Sequence, residues 1–270
     1  MSSDSAQSPQ PASVTARFSL RIGADTLNAS VQLPTARTTL TQLLPVIQNL
    51  ENAIVNDVAS DSESAGKPIS CRSGCGACCR QLVPISLFEA EALVRWLQML
   101  PQDRLDSLRE RFHSALSNLR DAGILDRLLD GSGLHDKVTR KQLGIDYFHA
   151  GVPCPFLDNE SCGIYEIRPL ICREYLVTSP PIFCQNPTVN NVSGIELPVR
   201  LSRTLFSLGK EAAEDTKGWI PLVFLLDWAE RGSVPGESVA GSGPDVLKRF
   251  LDRLASMPEQ DDSLTPSAPS

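Results

Sequence analysis

Cys71, Cys75, Cys78 and Cys79 fall within the nine residues CRSGCGACC, and Cys154, Cys162, Cys172 and Cys184 follow further along the chain. A deprotonated cysteine is a soft, anionic ligand suited to zinc or to iron–sulfur clusters. Packing of a hydrophobic core gives no reason to crowd four of them together. Four thiolates suffice for one zinc ion or one 4Fe–4S cluster. Eight could therefore serve two mononuclear sites, two clusters, or one site with bridging or spare thiols. Spacing does not choose among these. Cys184, in SPPIFCQNP, stands outside the denser pattern and reads equally well as a ligand or as a structural residue.

In the first block, cysteines three or four residues apart would share a face on helical backbone, whereas the neighbours Cys78 and Cys79 would diverge by about 100°. Gly74 and Gly76 instead suggest a loop that enters a helix near Ala77, with backbone N–H groups free to approach the sulfurs. Cys154 lies between Pro153 and Pro155 and is expected on extended backbone. Gly163 after Cys162 allows a close backbone approach, and Cys172 should project from a short helix whose first turn starts near Pro169. Phe156 and Leu157 are suited to a dry wall beside the sulfurs. Arg168 and Arg173 could offset thiolate charge; ion pairs with Glu166 or Glu174 would explain them as simply. Tyr165 is expected to be a core residue, with packing over the metal site as the alternative. His149, five residues before Cys154, is the one histidine placed to supply nitrogen; His113 reads as a surface residue on a helix, and His135 sits in a Gly-rich loop.

The elements that must position these residues read as mostly α: a helical domain around a cysteine-rich metal site, with a small N-terminal β-hairpin. Apolar residues alternate from Ala16 to Ile22 and from Leu27 to Leu33 around a Gly23–Thr26 break, giving a hairpin over 15–34. Helical spacing runs from Thr38 to Val58 despite Pro45, then over 103–122, 124–129, 138–143, 198–214, 221–231 and 244–255. Ser86 followed by Glu89 marks a capped helix that runs to Leu100. Residues 1–14 and 257–270 are Ser- and Pro-rich tails expected to be disordered, flanking one domain over 15–256, with the metal-binding region at 70–185. The middle helices must return the chain so that Cys154 meets the first block.

With 270 residues, of which 41% are apolar and 21% charged, the chain can bury a core without disulfide staples. The N-terminus lacks the pattern of a secretory signal, so reduced thiols and a cytoplasmic location are expected. The longest apolar run, WIPLVFLLDW, is too short to span a membrane. A net charge of −7 argues against broad nucleic-acid binding. No HExxH, GxSxG or phosphate-loop pattern occurs, which leaves any enzymatic activity, and any protein partner, unspecified.

The succession CRSGCGACC, CPFL and CGIYEIRPLICR resembles the YkgJ-type cysteine-cluster family, also called the CxxCxxCC or zinc- or iron-chelating domain. The resemblance implies metal ligation by Cys71, Cys75, Cys78, Cys79, Cys154, Cys162 and Cys172, with Tyr165, Arg168 and Arg173 in the accompanying motif. The implied cofactor is an iron–sulfur cluster or Zn2+, and the implied function is metal binding. CxxxC at Cys71 replaces the CxxC of many relatives. A related cysteine cluster in flagellin lysine N-methylases gives the alternative expectation, an iron–sulfur metalloenzyme of group transfer or redox chemistry.

Overall fold

A computed structural model describes residues 12–22, 25–72, 74–131, 134, 136–188, 191–213, 217–232 and 238–257. The N-terminal hairpin pairs β1 (Ser13–Ile22) with β2 (Asp25–Pro34) in antiparallel register. Leu20 faces Leu27, Phe18 faces Ala29 and Ala16 faces Val31. The period of two thus puts one apolar face against the core. Residues 23 and 24 of its turn lie outside the described residues, as do residues 1–11 and 258–270 of the two expected tails.

Short strand pairs deliver the chain directly into helix caps. Strand β3 (Arg37–Thr39) ends on Thr39, which caps α1 (Leu40–Ser64) in a reciprocal box with Gln42. Pro45 lies inside α1 without ending it, and the helix runs past the Val58 limit read from the sequence. Strand β4 (Pro84–Ser86) likewise ends on Ser86, and the expected Ser86–Glu89 box opens α2 (Leu87–Gln98).

Helices α3 (Gln102–Asp121), α4 (Leu125–Leu129) and α5 (Lys137–His149) follow. A tight hairpin of β5 (Leu157–Asp158) and β6 (Ser161–Cys162) leads to α6 (Leu170–Glu174) and α7 (Pro181–Gln185). Beyond lie α8 (Leu201–Ala212), β7 (Trp219–Pro221), α9 (Leu225–Glu230), β8 (Ala240–Ser242) and α10 (Gly243–Ser256). Strand β7 pairs with β4, and β8 with β3. The mostly helical architecture with a small N-terminal hairpin agrees with the sequence, which did not reveal these three-residue pairings.

The core divides by position. Leu40, Ile47 and Ile54 of α1 pack with Phe88, Leu205 and Phe250 from α2, α8 and α10. Phe112 and Phe156 meet edge to face within a second group that holds α2 against α3. Leu119, Leu125, Leu143 and Tyr147 join α3, α4 and α5. These middle helices return the chain, so that the Cys154 N–H donates to the Cys79 carbonyl at 2.7 Å. Among the described residues no helix is long and apolar enough to cross a membrane.

Candidate metal centre

The first cysteine block is pinned at both ends. Ser70 donates through its N–H to the Val177 carbonyl (2.8 Å) and through Oγ to that of Thr178 (3.1 Å). Cys71 Sγ accepts the Val177 N–H at 3.4 Å and itself faces the Tyr175 carbonyl at 3.8 Å. The loop then tightens into a 3-10 turn, Ala77–Arg80, where the sequence places a helix entry. Cys79 sits at φ −74°, ψ 16°, off helical geometry. The neighbours Cys78 and Cys79 thus sit on a 3-10 turn with a kink at Cys79, in place of the regular helix expected there.

Gly76 explains how the block reaches the second motif. A Cβ there would lie 2.7 Å from the Glu160 carbonyl oxygen and 2.8 Å from Leu157 Cδ1, inside contact distance. The β5–β6 turn that presses against it places Asn159 (φ 49°) and Glu160 (φ 60°) in the left-handed region, as a two-residue hairpin requires. Arg80 holds Glu160 in that strained conformation through two hydrogen bonds, of 3.0 and 2.6 Å. Cys162 is thereby set beside the 3-10 turn.

Cys172 projects from α6, whose first turn starts at Leu170 after Pro169, as expected. The helix is anchored by buried polar groups. Glu89 of α2 accepts the Leu170 N–H at 2.7 Å, while its other oxygen closes the cap on Ser86. Arg173 is buried and donates to Asn52 Oδ1 of α1 (2.8 Å) and to the carbonyls of Glu166 (2.5 Å) and Arg168 (3.0 Å). It therefore makes its hydrogen bonds to backbone and an amide, not to the side chain of Glu166 or Glu174. Glu174 accepts from the backbone and hydroxyl of Ser202 at the start of α8.

These anchors bring all eight cysteines, every one a free thiol, to the walls of a single cavity of about 550 Å3. Arg72, Arg168, Arg173 and Arg200 line it too. Tyr165 is 37% exposed at its edge, so it is not the core residue expected, and the Arg168 guanidinium stacks over its ring at 4.2 Å. Arg168 Nε is buried without a hydrogen-bond partner. Among the described residues, no three His, Cys, Asp or Glu side chains form a ready-made metal-holding set.

Burial dominates the electrostatics of these thiols. It pushes up Cys71, Cys162 and Cys172, and raises Cys154 to about 12 and Cys184 to about 11. Cys78 is held protonated chiefly by its bond to Cys79, then by burial. Arg168 opposes the rise at Cys71, Cys78, Cys162 and Cys172 alike. One guanidinium thus reaches four sulfurs. The donor set of soft sulfurs, with an orphaned cationic nitrogen beside it, fits a thiolate-bound metal or cluster carrying net negative charge.

Several residues fall elsewhere. His149 is exposed at the end of α5 and does not line the cavity; His113 is exposed on α3, and His135 lies outside the described residues. Sequence reasoning left Cys184 undecided and missed Arg72 and Arg200. Cys184 is buried on α7, which packs against the 3-10 turn. Pro180-Pro181 was the one available signal for that helix, since proline suits a first turn.

None of the curated proteins and none of the solved structures matches the chain. Residues 70–192 match the family model CxxCxxCC, "Putative zinc- or iron-chelating domain". That span covers the expected 70–185 region and ends seven residues beyond it. All eight cysteines of the cavity lie within the span that is similar to this domain.

Proposed function

We propose that the protein is a metal chelator whose cavity holds zinc or an iron–sulfur cluster on cysteine thiolates, drawn from Cys71, Cys75, Cys78, Cys79, Cys154, Cys162 and Cys172. The observation that carries this reading is the convergence of sulfurs from four separate stretches of chain on a space also reached by Arg168. A bound cluster would supply electron transfer, and bound zinc would supply structure or a store of metal. The chain's own part is to hold the sulfurs, offset their charge through Arg168, and exclude water with Phe156 and Ile164, both buried in the adjoining core. Eight thiols without a disulfide suit a reducing compartment, which supports a cytoplasmic location.

Protein purified without oxygen tests the reading. Brown protein absorbing near about 400 nm, with iron equal to acid-labile sulfide, is the cluster outcome, and colourless protein with stoichiometric zinc is the zinc outcome. Protein free of both metals, and unable to take up either, would refute the proposal.

A further inference from the structure

Resting on that chelation reading, we infer that the cavity is built for two metal ions that share the Cys78 sulfur, with Cys71, Cys75 and Cys184 completing one site and Cys154, Cys162 and Cys172 the other. The walls divide this way in the packing. Cys184 sits in a small apolar group with Ala77, Val177 and Val192, and Cys71 and Cys75 pack against that same group. Cys154 and Cys162 pack against a different one, around Phe156 and Ile164. Cys78 lies on the 3-10 turn between the two walls, with α7 docked on one side and Cys154 tied to Cys79 on the other.

Cys172, carried by α6, lines the same cavity and is the remaining ligand of the second site. Two tetrahedral ions need eight ligand positions; a thiolate that bridges fills two of them, so seven cysteines complete both sites. The eighth, Cys79, follows the bridging residue in the 3-10 turn and is left without a metal to bind. Two divalent ions on seven thiolates leave a charge of −3, which the cavity's arginines are placed to offset. Loading releases one proton to solvent from each of the seven thiols. A cavity of about 550 Å3 lined by all eight cysteines has room for such an occupant.

The test titrates the oxygen-protected, metal-stripped full chain with Zn(II) alone and counts ions by native mass spectrometry. Two zinc ions per chain are expected, with one fewer in both Cys184→Ser and Cys184→Ala. The alanine variant keeps the apolar packing against Val177 and Val192, and circular dichroism of the metal-free forms separates lost ligation from lost fold. Loading with 113Cd(II) should give two resonances coupled to each other, and Cys78→Ser should abolish the coupling. One zinc per chain, two ions that both Cys184 variants retain at unchanged affinity, or an as-isolated cluster of four irons and four sulfides would overturn the inference while leaving chelation intact. A chain that binds no zinc, and holds no iron as isolated, would sink the chelation reading itself.

Discussion

Arg168 is the residue on which the site's charge balance turns. Its guanidinium covers Tyr165, its Nε has no hydrogen-bond partner, and its charge opposes the burial-driven rise at four thiols. Replacing it with Gln should weaken metal retention about 10–100-fold in competition with a chelator, and Lys should restore part of the loss. Protons compete for the same sulfurs. In the metal-free chain, burial raises Cys184 to about 11 and Cys154 to about 12 from an ordinary 9.0. A raised thiol contributes stability below its unfolded value and loses it as pH rises through the folded one. The metal-free chain should therefore lose stability between about pH 9 and 12, whereas metal affinity should rise with pH across the neutral range. Thermal melts of the metal-free form over the alkaline range, and zinc titrations across the neutral range, check the two trends.

The seven motif cysteines and Arg168 were legible as chemistry because their types and spacing are local facts. Cys184 was not. Its place depends on α7 docking against a turn about a hundred residues earlier in the chain, which no local spacing encodes.

At the scale of elements, α6 matters most, because five residues carry Cys172 and cannot hold themselves in place. Glu89 ties its N-terminus to the cap of α2, so Glu89→Ala should cost about 2–4 kcal/mol in urea unfolding and lower metal content with it. Glu51 of α1 faces Glu174 beside the start of α8. Burial, then the charge of Glu174, holds Glu51 well above the usual carboxylate range, against the Leu201 backbone, Arg173 and Arg200. Such a carboxyl favours the fold below its unfolded value near about 4.3 and costs stability as pH rises through its raised one. Glu51→Gln should therefore raise the melting temperature by about 3–6 °C at pH 7–8, and the gain should vanish near pH 4. Gly76→Ala should do the reverse at the motif contact, costing about 1–3 kcal/mol, because its Cβ meets the Glu160 carbonyl.

Long amphipathic helices and the Ser86–Glu89 box were readable because their signals lie within a few residues. Helix α5 was cut short at Leu143 in the sequence reading, where Gly144 interrupts the pattern; tertiary packing of Tyr147 and Phe148 carries the helix on to His149. Three-residue strands such as β4 and β7 gain their definition only from a distant partner.

For the whole molecule, the fold acts as a frame that returns the chain from Cys79 to Cys154 and closes Cys79 O on Cys154 N–H. Sulfurs from distant segments then depend on the fold for their proximity, and a metal that binds them must in turn stabilise the fold. The most direct measurement is metal content per chain in oxygen-protected protein, wild type beside Cys78→Ser and Cys172→Ser. The account predicts stoichiometric zinc or iron in the wild type, with sharp loss in both variants although their sulfurs come from different segments. Equal metal content in all three, or none in the wild type even after incubation with zinc and iron, would contradict it.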